Sequence, residues 1–355
     1  MAKLRLGIIG AGSWTVASHL PNLLRRAQDV EFVAVNRRSR SQLEKIREQF
    51  GFAIASEDYH DVLAAGIDIC VVASPAAVHH EHVMAALKAG ASVLLEKPVT
   101  TNARQAWDLV EAAGRLKRDV VTANGWNYKP MVRRAKALLA SGKGIGTVEQ
   151  VMISMSSATR ELLSNTGHYA DAASDLAPAP ETWTDARLSG GGYAQAQLSH
   201  ALALCLWLTG LRGKDVFALM SAPLSAPVEL HDAIVIRYDN GAIGTISGGS
   251  AHMGADNHKH HLEVRAIGSH GQLLVDLARE AVWLYNKDYG DLKLDVEAGD
   301  GQYDCVGPVD ALVDRALGRP VENCSPLELG ARTVEILDAA YHSAASGRIE
   351  PVRQG

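Results

Sequence analysis

Three short stretches of this 355-residue chain carry residue types that could do chemistry. The first is Gly7-Ile8-Ile9-Gly10-Ala11-Gly12-Ser13-Trp14-Thr15. Glycine at 10 permits a tight turn, and glycine at 12 lets the backbone approach a pyrophosphate at a helix N-terminus, with Ser13 and Trp14 beside it. Thr15 stands where the usual dinucleotide fingerprint has its third glycine, so the match is incomplete. The second stretch is Glu96-Lys97-Pro98, a carboxylate, an ammonium and a backbone lock closing the apolar run Val93-Leu94-Leu95. The third runs from Gly190-Gly191-Gly192 through Gln195 and Gln197 to His200, beyond which every residue through 208 is apolar. That pattern reads as a buried helix with its polar residues crowded at an open end. A histidine there can shuttle a hydroxyl proton, its pKa set by burial and helix polarity.

Such residues need strand ends and helix starts to hold them. Through residue 123 the chain alternates short β-rich runs (4–9, 31–35, 67–73, 92–95, 120–123) with amphipathic helical ones (16–28, 40–50, 79–89, 103–116). Gly90 reads as a helix C-cap. Uniformly apolar strands in this alternation predict an α/β fold with a doubly wound parallel sheet, a Rossmann domain over 1–123. Ligands then bind outside the carboxyl ends of the strands, where Glu96 and Lys97 lie, with Ser74-Pro75 and His79 flanking the same crevice.

After a helix near 131–139 the pattern changes. Residues 234–238 and 242–246 form a hairpin across Asp239-Asn240-Gly241, and 262–267, 273–276 and 282–285 continue it. The prediction for 124–355 is an α+β domain with a mostly antiparallel sheet, helices on one face, and a loop or lid over 157–189. Ser325-Pro326-Leu327-Glu328 reads as a capping box with proline at the first helical position, and Gly347 as the end of the helix it opens.

The second strand ends in Asn36-Arg37-Arg38. A carboxylate there would accept the adenosine ribose hydroxyls and repel a 2′-phosphate, whereas two guanidiniums favour one; the expectation is NADP(H) over NAD(H). A net charge of -5 with no Lys/Arg-rich block excludes an electrostatic footprint for nucleic acid or an anionic membrane. Four scattered cysteines form no CxxC pair or disulfide spacing, and no run is long enough to span a membrane, so the expected location is the reduced cytoplasm.

Taken together, Gly10-Ala11-Gly12, Ser74-Pro75 with His79, Ala89-Gly90 leading to Glu96-Lys97-Pro98, and Gly190-Gly191-Gly192 with His200 make a chain that resembles the Gfo/Idh/MocA oxidoreductases over nearly its whole length. The resemblance implies a Rossmann domain followed by a domain with a large antiparallel sheet, with substrate between them. It implies that Lys97 contacts both cofactor and reacting oxygen, behind a peptide before Pro98 that is often cis. An ammonium so placed stabilises developing alkoxide during hydride transfer, and Glu96 would lie near the nicotinamide ribose. Trp126-Asn127-Tyr128 resembles the family's interdomain segment, which assigns Asn127 to cofactor and Trp126 and Tyr128 to substrate. Relatives commonly place an aspartate four residues before the histidine; here that position is Ala196. Gln195 or Gln197 can orient substrate but cannot take its proton, which leaves the proton chemistry to Lys97 and His200.

The activity so implied is NADP-dependent hydride transfer with a secondary alcohol or ketone of a sugar, cyclitol or related polyol, NAD being possible. Two alternatives stay open: a glycosidase-like or epimerising enzyme that recycles a bound nicotinamide, and a non-catalytic dinucleotide-binding regulator. A homo-oligomer, dimer or tetramer, is expected through the exposed face of the second sheet. No metal is expected: His258 and His260 share a strand face with Leu262 and Val264 while His261 points oppositely, so only two imidazoles converge, and a packing or interface role is preferred. His80 and His82 are read as surface residues, and Arg160, His168 and Tyr169 as residues of the polar loop that could reach substrate.

Overall fold

The computed structural model describes residues 2–167, 179–252 and 260–352. The first sheet holds β1 (Leu4–Ile9), β2 (Val30–Asn36), β3 (Ile54–Ser56), β4 (Ile69–Val72), β5 (Ser92–Leu95) and β6 (Val120–Thr122) in the order β3-β2-β1-β4-β5-β6. Every pairing is parallel. Helices cover both faces, so β4 is buried at all four residues, which is why these strands read as unbroken apolar runs. Strand order reverses between β1 and β4, and a crevice opens there at the strands' carboxyl ends. Neither β3 nor the helix Tyr59–Ala64 was legible, since three and six residues are too short to show a period. The helix expected over 16–28 is instead a π turn, Thr15–His19, running into a short α-helix, Leu20–Leu24.

The second sheet contains β7 (Val148–Ser157), β8 (Gly213–Ser221), β9 (His231–Tyr238), β10 (Ile243–Ser250), β11 (His260–Gly268), β12 (Gly271–Asp276), β13 (Ala281–Asn286), β14 (Gly290–Leu294) and β15 (Glu350–Pro351). Their order is β14-β13-β12-β11-β7-β10-β9-β8-β15. β7 and β10 pair in parallel and all other neighbours are antiparallel. Burial alternates along β9, so one face packs and the other is open. The packed face carries the helix Ser199–Thr209, buried at every residue from Ser199 through Leu208.

The chain's last long helix, Leu327–Ser346, lies against both sheets' structures. Trp107 Nε1 donates to Glu335 at 2.8 Å on the Rossmann side, and Ser343 Oγ accepts from Ala218 N of β8 at 3.0 Å. It ends at Gly347 in the left-handed region, as its sequence requires. It does not open on a capping box: Pro326 is the N-cap, and the Ser325 hydroxyl accepts instead from Asn124 Nδ2 at 2.9 Å.

Candidate active site

The glycine turn sits at the centre of the crevice. Gly10 has φ +89°, and a Cβ on it would lie 2.5 Å from Ser74 N, so no other residue fits. A Cβ on Gly12 would meet nothing within 4 Å. The backbone therefore lines open space over Gly12 at a helix start flanked by Ser13 and Trp14, which fits a dinucleotide's phosphates. Thr15 does not disturb the turn, because its buried hydroxyl donates to Gly10 O at 3.0 Å.

The end of β2 leans on the same turn. Asn36 O accepts from Gly10 N and Ala11 N, and Asn36 Nδ2 donates to Ser56 O. Arg37 Nη1 donates to Ala11 O at 2.6 Å and its Nε to Gln42 Oε1 at 2.8 Å, which fixes the guanidinium beside the cradle; Arg38 is exposed. Across the crevice His79 spans two carbonyls, Ser74 O at 2.7 Å and Pro98 O at 2.9 Å, and so ties Ser74-Pro75 at the end of β4 to the turn after β5. Burial pulls its pKa down. His82 is half-buried with Nδ1 2.8 Å from Ser74 Oγ, a correction to its reading as a surface residue; His80 pairs with Asp108.

The Lys97–Pro98 peptide is cis. Lys97 Nζ crosses to the second domain and donates to Ala196 O at 2.6 Å. Ala196 lies in a π turn, Ala194–Leu198, that leads directly into the His200 helix. A π turn shifts the hydrogen-bond ladder by one residue and makes a carbonyl available, and such turns recur at functional sites. Burial lowers the Lys97 pKa, opposed by the Glu96 carboxylate. Burial pushes the Glu96 carboxyl up, but the hydrogen bond from His19 Nε2 at 2.7 Å, the Lys97 charge and the Lys97 N–H at 3.1 Å hold it below the usual range.

Facing Lys97 is a wall of rings. Trp126 stacks edgewise on His200 at 5.4 Å, on His260 at 5.5 Å and on Tyr303 at 4.8 Å, and Tyr303 also meets His200 at 4.8 Å and Trp14 at 5.9 Å. Ser157 links Gln197 Oε1, Tyr193 and His260 Nδ1. His200 is buried, and its pKa falls well below the ordinary value through burial first and then the Lys97 and His260 charges. Its imidazole is therefore neutral near pH 7, able to accept a proton.

His260 thus belongs to this wall rather than to sheet packing or an oligomer interface. The strand alternation put it on the inner face correctly, but not what that face meets. Tyr128 is turned away: its hydroxyl donates to Asn323 Oδ1 and its ring packs on Gly307, at the junction with the C-terminal helices. Asn127 Nδ2 donates to Cys324 O, and its buried Oδ1 has no hydrogen-bond partner among the described residues. His168, Tyr169 and His258 lie outside the described residues, and Arg160 opens a short helix, Arg160–Leu163. Tyr303, Ser157, His19 and Cys305 went unread. Tyr303 follows a polar, glycine-bearing segment with no period; only its hydroxyl on Ala123 O and the Trp126 Nε1 bond to Gly301 O bring it here.

Among the described residues one group could offer metal ligands, His19, Glu96 and Cys305, with ligand atoms within 4.8 Å of one another. The 2.7 Å His19–Glu96 contact is a hydrogen bond; two N/O ligands of one tetrahedral ion sit roughly 3.3 Å apart. Burial keeps Cys305 a thiol, its pKa pushed up to about 12.

An NAD-binding Rossmann oxidoreductase is what the sheet order, the glycine cradle and the crevice residues define. Residues 4–124 match the family model described as the oxidoreductase family, NAD-binding Rossmann fold, and residues 132–274 match the GFO/IDH/MocA C-terminal domain. The chain belongs to the Gfo/Idh/MocA family of oxidoreductases. It is 24% identical to the myo-inositol 2-dehydrogenase of Thermotoga maritima over 296 residues, 81% of this chain and 80% of that one. It is 36% identical to a D-xylose 1-dehydrogenase (NADP(+)) of Hypocrea jecorina over 141 residues, 38% and 36% of the two chains. Among solved structures, GenD2 from gentamicin A biosynthesis in complex with NAD has a TM-score of 0.78 at 25% identity, covering 99% of this chain and 97% of that one. Levoglucosan dehydrogenase in complex with NADH and levoglucosan has 0.81 at 18%, covering 99% and 100%, a likeness of fold. Among the described residues no helix is long and apolar enough to cross a membrane.

Proposed function

We propose that this oxidoreductase transfers hydride between NADP(H) and a secondary alcohol or ketone of a sugar, cyclitol or related polyol. The observation that carries the reading is Lys97 Nζ, aimed from the end of β5 across the crevice onto Ala196 O, opposite the His200 ring wall. Bound over Gly12, the nicotinamide dinucleotide supplies the hydride acceptor or donor. Lys97 hydrogen-bonds the reacting oxygen and steadies the charge that develops on it. Neutral His200 accepts the hydroxyl proton in oxidation and returns it in reduction. The carbonyl of Ala196 orients the ammonium without adding a charge, and burial leaves Lys97 easier to deprotonate. Half-buried Tyr303, backed by buried Trp126, gives a flat apolar face of the kind sugar rings pack on, and Gln197 with Ser157 and His260 supplies hydroxyl partners.

Arg37, pinned beside the cradle with Arg38 next to it and no acid at the end of β2, supports preference for the 2′-phosphate. Leu219, Val235 and Ile243, exposed on the outer face of β8, β9 and β10, support a homo-oligomer formed through that face. The names of the two curated relatives above support the polyol class.

The test follows reduced-nicotinamide absorbance with NADP⁺ and NAD⁺ against a panel of sugars, cyclitols and polyols, with His200→Ala beside the wild type. Turnover of one class preferring NADP⁺, reduced about 10²-fold in the variant, is expected. Nucleotide that co-purifies and never turns over with any substrate would point instead to internal recycling or regulation.

A further inference from the structure

The three glycines ahead of His200 leave room for two side chains from elsewhere. Gly191 has φ +154°, and a Cβ on it would lie 2.0 Å from Tyr341 Oη. A Cβ on Gly192 would lie 2.2 Å from Glu229 O and 2.8 Å from Glu229 Oε2. Glu229 comes from the segment before β9 and Tyr341 from the helix Leu327–Ser346.

Glu229 takes up three successive leading N–H groups of the turn, those of Gly192, Tyr193 and Ala194. Its Oε1 and Oε2 each accept from Gly192 N at 2.8 Å, Oε1 accepts from Ala194 N at 3.2 Å, and its main-chain oxygen accepts from Tyr193 N at 3.0 Å. Tyr341 donates its hydroxyl to Oε1 at 2.5 Å. A carboxylate on the orphan N–H groups of a helix start satisfies them and suits the helix dipole. The next residues of the same turn carry Ala196 O, the anchor of Lys97 Nζ, and then His200.

We infer that Glu229, braced by Tyr341, is a positioning residue: it fixes the first turn of the His200 helix and so sets where the Ala196 carbonyl and the imidazole stand relative to Lys97. It touches none of the reacting atoms. The inference rests on the reading of Lys97 and His200 as the groups that act on substrate. A cap that served stability alone would leave the chemistry of the folded enzyme untouched, which makes the two roles separable.

Glu229→Gln and Tyr341→Phe are compared with wild type for kcat, KM, dinucleotide Kd and melting temperature. Glu229→Gln should lower kcat about 10- to 100-fold, the cost of a small misplacement, with dinucleotide Kd within about threefold because the cradle is remote. Tyr341→Phe should lower kcat by less, and the double variant should be no worse than Glu229→Gln, since both act through one carboxylate. A folded Glu229→Gln enzyme with wild-type kcat overturns the inference, as does a double variant whose losses multiply. If Glu229→Gln does not fold, Tyr341→Phe decides in the same way. NMR titration of the His200 imidazole reads the geometry without turnover: a shifted midpoint in the variants is expected, and an unmoved one counts against positioning. A wild type inactive on every polyol, with that midpoint still shifted by Glu229→Gln, removes the dehydrogenase reading and leaves this one standing.

Discussion

The two sides of the crevice are built on opposite plans. The Rossmann side comes from contiguous motifs at neighbouring strand ends, and main-chain groups hold its polar side chains: Arg37 on Ala11 O, Asn36 on Ser56 O, His79 on Ser74 O and Pro98 O. The facing side takes Trp126, Ser157, His200, His260 and Tyr303 from five separate segments. Among the described residues both sides keep buried polar atoms without a partner: His19 Nδ1, Thr122 Oγ1 and Asn124 Oδ1 on the Rossmann side, and Gln195, His200 Nδ1 and both oxygens of Asp232 on the facing side. The difference is therefore one of origin: one side is built from local motifs to hold, the other is gathered from distant segments.

Lys97 joins the two, and its removal should have the largest effect. Lys97→Ala should lower kcat about 10³-fold, from loss of charge stabilisation at the reacting oxygen, while dinucleotide Kd, measured by fluorescence titration, changes less than about threefold. Binding and turnover falling together would assign Lys97 to the holding side. Next comes the double change Arg37→Ala with Arg38→Ala, expected to lower kcat/KM for NADPH about 10- to 100-fold and for NADH by no more than about threefold. Equal losses would mean the guanidiniums only brace the β1 turn.

The smallest effect on activity is expected from Asp232→Asn, which probes the facing side through stability. Burial first and then the Glu229 charge push the Asp232 pKa up to about 8, against an ordinary 3.8. Between those values the folded chain keeps a proton that the unfolded chain has released. Folding stability therefore falls as pH rises through that window and levels off above it. Asparagine removes the penalty, so the variant should gain about 2–4 kcal/mol at pH 7 and nothing near pH 4 in urea melts. A gain of the same size at both pH values would show that Asp232 is not titrating.

The same contrast decides what the sequence could reveal. The parallel sheet, the cradle and Glu96-Lys97-Pro98 were legible because each function there is carried by residues adjacent in the chain. The β9–β10 hairpin was legible from its Asp239-Asn240-Gly241 turn. On the facing side His200 and Gln197 announced themselves through polar residues ahead of an apolar helix, and Trp126 only through the resemblance of Trp126-Asn127-Tyr128 to the family's interdomain segment. Tyr303 reaches the site through its own hydroxyl on Ala123 O and through the Trp126 bond to nearby Gly301 O, and Tyr128 leaves it by one bond to Asn323; none of these has a local signature. Ser325 looked like a helix cap, but Asn124, 201 positions away, claims its hydroxyl.

The helix Leu327–Ser346, 20 residues and so about 30 Å long, touches Trp107 and the main chain of Ala103 through Glu335 and Asp338. Gly330 rests on Val99, two residues past Lys97, and Tyr341 reaches Glu229 under the His200 turn. One stiff rod is thus the common ruler for both sides of the crevice. Its length sets how far apart these contacts stand, so a kink engineered in it far from the crevice should change the distance between ammonium and imidazole.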